Sequence, residues 1–481
     1  MSQPRLGPCL DLPLEHKALV NVVEKAKDWA LMHGAGMRDK NNFNKDAMQI
    51  APFVLLPSPF PRAEFIKAVE LQPILNELMH KVAHDKEFLT QSLQNALQVD
   101  EFTANLYDIW IKVNAEGISQ SMSLGLFRSD YLLQEREGNA IKQVEFNTIA
   151  SSFGALATKL PIMSRYIVRQ LGHGELLKNM PENKALSGLC SGIIEAYDMF
   201  GVSDAMILFV IEEVSYNICD QRFHEFEISE RRPDIMIARK TLNEIYEEAS
   251  VNEKQQLMLD GKVVAVVYYR SGYEPDQYPT TREWDARLKV ERSNAIKCPS
   301  INYQLAGTKK VQQALAVPGA LEKFMGKGPQ CDRVREIFTG LYSLDFDESG
   351  EKAVEMAIAD TERFVLKPQR EGGGNNLYGV DVRDTLTKLR HSRERAAYIL
   401  MERILPPLVS GYVVRPGGPV PPPLTDLVSE LGIFGVIIGT KDKIFTNKQV
   451  GHMLRTKSAE ANEGGVAAGL GALDSPYLVD L

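Results

Sequence analysis

Hydrophobic positions change rhythm along this chain, and each rhythm predicts a different element. In the first hundred or so residues, Ile66, Val69, Ile74, Leu78 and Val82 recur at three- to five-residue spacings, which predicts an amphipathic helix interrupted once by Pro73. Gly34 and Gly36 close an earlier helical run near Met32. The stretch I-K-Q-V-E-F-N-T-I (141–149) alternates in part, predicting a strand with Glu145 and Asn147 on one face. Between about 204 and 304 the apolar runs 205–211, 234–238 and 263–269 are continuous, with helical stretches between them. That pattern predicts strands buried on both faces of a parallel sheet, a βαβ module of its own. Further on, R-F-V-L-K, A-Y-I-L-M-E and E-L-G-I-F-G-V-I-I-G followed by K-I-F-T-N-K predict a second, antiparallel sheet system with hairpins. The proline-rich 416–423 reads as a loop, and no internal repeat is present.

Composition narrows the class. A chain of 481 residues accommodates two or three domains, and 44% apolar with 25% charged residues is ordinary for a globular protein. The net charge of −8 argues against a general nucleic-acid or membrane-surface binder. No apolar run approaches the roughly 18 residues of a membrane span, and the first residues show no signal-peptide pattern. Five scattered cysteines without a C-x-x-C pair suit a reducing compartment, so the cytoplasm is expected. Several chemistries lack their motifs: there is no G-x-x-x-x-G-K-[ST], no G-x-S-x-G and no H-E-x-x-H.

One stretch does carry chemistry. In F-V-L-K-P-Q-R-E-G-G-G-N-N-L-Y-G (364–379) three glycines follow a strand-like run. Glycine backbone can wrap an anion, Lys367 can meet phosphate oxygens, and Glu371 offers the hard oxygen that Mg²⁺ takes beside substrate phosphates. Glu145 and Asn147 supply two more oxygen donors. Two unit negative charges at ~4 Å repel by about 4 kcal/mol at an effective dielectric of 20, so a triphosphate facing a carboxylate needs metal and lysines.

That stretch resembles the glycine-rich lid of the eukaryotic glutathione synthetase family of ATP-grasp ligases. Supporting segments follow in order through nearly the whole chain: L-G-L-F-R-S-D-Y (124–131), Q-V-E-F-N-T-I (143–149), N-I-C-D-Q-R (217–222), Y-Y-R-S-G-Y (268–273), Q-L-A-G-T-K-K-V-Q-Q (304–313), S-E-L-G-I-F-G-V (429–436), H-M-L-R-T-K (452–457) and G-G-V-A-A-G (464–469). The resemblance implies an α/β (α+β) ATP-grasp fold. A helical N-terminal part and the start of the core would occupy 1–204, an inserted parallel-sheet substrate domain 205–304, and the rest of an antiparallel ATP-binding core 305–481. Within the last would lie the lid (about 340–410) and an alanine-rich loop (about 457–469).

The resemblance also implies roles. Glu145, Asn147 and Glu371 would hold one or two Mg²⁺. Glu145, Lys309 and Lys367 would face the nucleotide, with Pro368, Gln369, Arg370, Glu371, Gly372, Gly373, Gly374, Asn375 and Asn376 closing over it beside Tyr378. Met401, Glu402, Arg403, Ile404 and Glu430 would line the adenine and ribose pocket, and Lys457 and Glu463 would complete it. γ-Glutamylcysteine or product would meet Arg128, Ile149, Ala150, Ser151 and Ser152. It would also meet Ser215, Tyr216, Asn217 and Gln221, then Arg270, Ser271, Gly272 and Tyr273, and finally Arg455. Val466 and Ala467 would close over the acceptor amino acid. Lys367, Arg455 and Gly373 would act in catalysis. From the residues alone, forked guanidinium donors at Arg128, Arg270 and Arg455 suit carboxylate clamping. Ala150 stands where family members often have serine, and Ser215 and Tyr216 stand where others carry charge. Expected partners are ATP, γ-glutamylcysteine, glycine and a second copy of the chain as a homodimer, with no nucleic acid or membrane. A homoglutathione-type ligase, a phosphotransferase that stops at a phosphorylated product, and a non-catalytic ATP-grasp-like binder are the alternatives.

Overall fold

The run E-L-G-I-F-G-V-I-I-G lies in the middle of the largest sheet. A computed structural model of the chain describes residues 4–370, 374–462, 466 and 471–481. Strand Leu424–Thr440 turns back into Lys443–Ser458 as an antiparallel hairpin. Seven strands assemble around it in the order Val409–Val414, Phe53–Val54, Gly471–Asp474, Lys443–Ser458, Leu424–Thr440, Ser123–Gln134, Ala140–Asn147. Period two sorts the side chains: Phe127, Tyr131, Ile433 and Ile437 enter one core cluster, whereas Leu124, Leu126, Phe434 and Val436 enter another. Helix Arg62–Ala83 packs on the first face, and helices Gly154–Gln170 and Ala185–Phe200 supply the second. Cover on both sides makes the central strand read as a continuous apolar run although its long partners are antiparallel. A bulge interrupts the hairpin at Phe434/Gly435 against Gly451. Gly451 has φ +154°, and a Cβ there would sit 2.5 Å from the Cα of Ala185, so the hairpin lies directly on the start of the Ala185–Phe200 helix.

The expected N-terminal helices form, with two corrections. Helix His16–Met32 ends where the glycines predict, and Arg62–Ala83 contains Pro73. The buried stripe of the second helix, however, is Phe65, Ala68, Leu71, Leu75 and Leu78, while Ile66 is 47% exposed. Val69 and Ile74 flank the core rather than enter it. The region is also not purely helical: Phe53–Val54 and Ser58–Pro61 are strands, too short for periodicity to reveal.

The runs at 205–211 and 263–269 become parallel neighbours, Met206–Val210 and Lys262–Tyr269, with Ile296–Cys298 also parallel to the latter. Both faces of the first two are buried, as continuous apolar sequence requires. The 234–238 run departs from this. Its strand is Met236–Lys240, at the sheet's edge, with Met236 45% exposed. A third, four-stranded antiparallel sheet takes the order Leu341–Ser343, Tyr398–Glu402, Phe364–Pro368, Leu377–Tyr378 and has a small core of its own around Leu344, Val354 and Leu366. R-F-V-L-K and A-Y-I-L-M-E therefore belong to a different sheet from the long hairpin. All five cysteines are free thiols. Among the described residues no helix is long and apolar enough to cross a membrane.

Candidate active site

Strands from all three sheets end around one cleft of about 1150 Å³. The large sheet contributes Arg128, Glu145, Asn147, Glu430, Arg455 and Lys457; the four-stranded sheet and its edges contribute Val365, Lys367, Asn376, Tyr378 and Met401 to Ile404. From the carboxyl ends of the parallel strands come Glu212, Tyr216, Asn217, Gln221, Arg270 and Tyr273. Ligands of open parallel sheets settle at that end because the strand-to-helix loops leave a crevice there.

At the junction of the first two groups sits Glu145. Its Oε2 lies 3.0 Å from Lys309 Nζ, and Lys367 Nζ donates to the Val144 carbonyl one residue away at 3.0 Å. Burial pushes the Glu145 carboxyl up, but the charges of Lys309, Lys367 and Arg455 outweigh it and hold the group well below the usual carboxylate range. A bulge between Gln143 and Glu145, opposite Tyr131 and Asp130, breaks the strict alternation of this strand.

Two buried arginines are fixed by carboxylates. Arg128 Nε and Nη2 reach Asp130 Oδ1 and Oδ2 at 2.6 and 2.7 Å, with the side chains 5% and 0% exposed. Asp130 Oδ2 also accepts from Asn147 Nδ2 at 3.0 Å and lies 3.4 Å from Arg455 Nη2. Arg455 in turn donates from Nε to Glu430 Oε1 at 3.0 Å. Burial, with Asp130 and Glu145 nearby, pushes the Glu430 carboxyl up despite that arginine. Further along the cleft, Arg270 Nη2 donates to Asp220 Oδ2 at 2.9 Å and to Ser152 Oγ at 3.1 Å. Asp220 also accepts from the amides of Phe153 (2.8 Å) and Ala155 (2.9 Å), so it caps the Gly154–Gln170 helix and anchors Arg270 at once. Phe153 itself is left-handed, φ +74°.

Most of the expected residues converge here, and several side chains turn elsewhere. Ile149, Ala150 and Ser152 line the cleft, whereas the Ser151 hydroxyl donates to the Leu126 carbonyl at 2.7 Å. Arg370 pairs with Asp100, and Gln369 Oε1 accepts from the Lys310 amide at 3.0 Å. Pro368 ends its strand beside them. Gln221 lines the cleft but its Oε1 holds Arg239 Nη2 at 2.7 Å; Ser215 donates to the Glu212 carbonyl at 3.3 Å. Gly272 (φ +99°) and Tyr273 donate their amides to Gln277 Oε1 at 2.6 and 2.9 Å, while Ser271 is buried beside them. Val466 is buried in a core cluster. Glu402 Oε1 accepts from Arg363 Nε at 2.9 Å, and the Arg403 guanidinium lies over the Tyr378 ring. Lys457 Nζ donates to the Asn462 carbonyl at 2.5 Å. Gly374 and Asn375 precede the cleft-lining Asn376. Glu371, Gly372, Gly373, Glu463 and Ala467 lie outside the described residues.

Sequence reasoning missed Asp130, Asp220 and Glu212. Asp130 was legible: two residues after Arg128 on a strand, it shares that residue's face. The other two had weaker signals, a carboxylate next to Gln221 and one following a buried parallel strand.

The donor set suits magnesium as far as the described residues reach. Glu145 is held ionised, and Asn147 uses its Nδ2 on Asp130, which leaves its amide oxygen for a hard cation. Among the described residues no three His, Cys, Asp or Glu side chains cluster as a metal site; the expected third ligand, Glu371, is not among them.

The family described as eukaryotic glutathione synthase, ATP-binding domain, matches residues 16–478. The chain is 43% identical to the glutathione synthetase of Xenopus laevis over 98% of this chain and 99% of that one, and 43% identical to that of Homo sapiens over 97% and 98%. It is 39% identical to the chloroplastic glutathione synthetase of Arabidopsis thaliana, covering 98% of this chain and 88% of that one. Among solved structures, a glutathione synthetase-like effector from Globodera pallida, in its apo form, superposes with a TM-score of 0.77 at 25% identity, covering 97% of this chain and 98% of that chain.

Proposed function

The chain belongs to the eukaryotic glutathione synthase family, and from that premise we propose that it is a glutathione synthetase: an ATP-dependent ligase that joins γ-glutamylcysteine to glycine, releasing ADP and phosphate. One observation carries the site assignment. Glu145, Lys367 and Arg455, drawn from three separated segments, meet in a single cleft with Arg128 and Arg270, and Lys309 from a fourth segment pairs with Glu145 at 3.0 Å.

A carboxylate is a poor electrophile, so amide formation needs activation. In this reading the nucleotide lies between the four-stranded sheet and the hairpin, its adenine and ribose against Met401 to Ile404 and Glu430, its phosphates toward Lys309 and Lys367, with Lys457 completing the site. Glu145, Asn147 and Glu371 would hold magnesium, which would supply positive charge against the phosphates. The cysteinyl carboxylate oxygen attacks the γ-phosphorus and ADP leaves, giving an acyl phosphate. The amine of glycine then attacks the acyl carbon, phosphate departs with the bonding electrons, and the amine loses its proton. Lys367 and Arg455 stabilise the transferring charge. The Gly372–Asn376 loop acts as a lid that excludes water, with Gly373 giving it room to close, and Val466 and Ala467 close over glycine. The domain limits 1–204, 205–304 and 305–481, a homodimer and a cytoplasmic location complete the proposal; the free thiols support the last.

A coupled ADP-release assay with γ-glutamylcysteine tests it. ADP formed in step with a glycine-dependent tripeptide supports ligation. ADP without glycine dependence points to a phosphotransferase, and no ADP to a binding protein. Preferential use of β-alanine points to a homoglutathione-type enzyme.

A further inference from the structure

The far end of the cleft holds a negative charge that the protein leaves uncompensated. Glu212 follows the buried strand Met206–Val210 directly, is half-buried, and faces the cleft with Glu274, Tyr216 and Tyr273. Its side-chain hydrogen bond is a long one, 3.4 Å from the Tyr273 hydroxyl. Among the described residues no cation comes within 4.0 Å of either carboxylate. Arg270 is already engaged by Asp220, Ser152 and Tyr268, and Lys40 lies at the exposed rim over the Tyr216 ring. Burial and Glu274 push the Glu212 carboxyl up, as expected of an anion awaiting a counter-ion.

A second observation points to a donor-rich ligand at the same place. Asn217, 8% exposed and on the wall of this cleft, has a buried Oδ1 with no hydrogen-bond partner. A buried acceptor beside an unpaired carboxylate fits a primary ammonium group, whose N–H donors are charge-assisted. Resting on the glutathione synthetase reading, γ-glutamylcysteine supplies one. Its cysteinyl carboxylate belongs near Lys367, where phosphoryl transfer takes place, so its glutamyl end extends toward the parallel sheet. That end carries an α-ammonium beside an α-carboxylate.

We propose that Glu212 is the specificity-determining residue that binds the α-ammonium of the γ-glutamyl group, with Asn217 Oδ1 as the second acceptor. Neighbouring Ser215 and Tyr216 carry no charge, so Glu212 and Glu274 are the carboxylates at this end of the cleft.

The test compares γ-glutamylcysteine with glutarylcysteine, the same molecule without the α-amino group, in wild type and Glu212→Gln. A hydrogen bond to a charged group is worth about 10- to 100-fold in affinity. Wild type is therefore expected to prefer γ-glutamylcysteine in kcat/KM by about that factor. In Glu212→Gln the KM for γ-glutamylcysteine rises about 10- to 100-fold, the preference collapses toward unity, and the KM for ATP and the melting temperature stay near wild type. An unchanged preference in Glu212→Gln overturns the proposal, even if activity falls. Wild type that forms no ADP with γ-glutamylcysteine instead overturns the parent reading.

Discussion

At the scale of single residues, the site is organised by carboxylates that hold its arginines. Asp130 holds Arg128 in a two-pronged pair, accepts from Asn147 and faces Arg455. Replacing it with asparagine leaves Arg128 buried without its counter-ion, a change that costs about 3–5 kcal/mol in comparable buried pairs. Asp130→Asn is therefore expected to unfold at markedly lower urea and to lose at least about 100-fold in kcat/KM, as Arg128 and Asn147, proposed above to meet substrate and metal, both lose their anchor. A stability change below about 1 kcal/mol in equilibrium urea unfolding would assign the Arg128 charge to another partner. Much of the site was readable beforehand where a residue type has one chemical use in its context: Lys367 at a strand end, Glu145 and Asn147 on one face. What could not be read was direction. Arg370 and Lys367 are three residues apart in one motif, yet one side chain goes to Asp100 and the other into the cleft. Only tertiary contacts decide that.

At the scale of elements, the loop after strand Lys262–Tyr269 is held by its neighbours rather than by its own propensity. Gln277 Oε1 accepts from three successive amides, Gly272, Tyr273 and Glu274, at 2.6, 2.9 and 3.3 Å, while Gln304 Nε2 donates to the Gly272 carbonyl at 2.9 Å. Gln277 is thus a positioning residue for Tyr273 and Glu274. Gln277→Ala is expected to raise the KM for γ-glutamylcysteine about 10-fold while leaving the KM for ATP unchanged, with Gln277→Glu restoring part of the difference through its retained acceptor. Equal rises in both KM values would mean general loosening instead. The same dependence on neighbours explains which elements the sequence disclosed. Met206–Val210 was legible because both its faces are covered, so every position is apolar. Met236–Lys240 has the same composition at its start but sits at an edge, a fact held by the sheet and not by the strand. Phe53–Val54 is too short to carry any period, and its pairing partners lie hundreds of residues away.

At the scale of the whole molecule, buried titratable groups set how stability responds to acid. Burial pulls His80 down to about 4, and its ring is satisfied in the neutral state by Tyr303 Oη at 2.6 Å and the Thr440 carbonyl at 2.9 Å. His224 and His452 are also pulled down by burial. Each has an Nε2 without a partner, so neither folded environment offers a place for a second proton. An unfolded histidine titrates near 6.5, so below that pH the unfolded chain binds protons that the folded one refuses, and stability falls as pH drops toward 4. Asp474 works the other way. Burial, opposed by hydrogen bonds from Ser58 and Thr456, raises it to about 6, so the folded state keeps a proton there that the unfolded chain releases near 3.8. His84 is pulled down by burial as well, so four histidines draw protons onto the unfolded chain as pH falls through 6.5, while Asp474, Glu212, Glu274 and Glu430, whose carboxyls burial raises, oppose that uptake at lower pH. Glu145 and Asp220, both held low, add to the loss only below about pH 4.3. Urea midpoints followed by circular dichroism should therefore be flat from pH 8 to 7 and begin to fall as pH drops through 6.5. His452→Leu removes one of these buried rings without disturbing a side-chain hydrogen bond, so its slope there should lose up to about one proton. A wild-type midpoint that stays level from pH 7 to 6 would show that these rings accept protons in the folded state. An unaltered slope in His452→Leu would place the uptake on other groups.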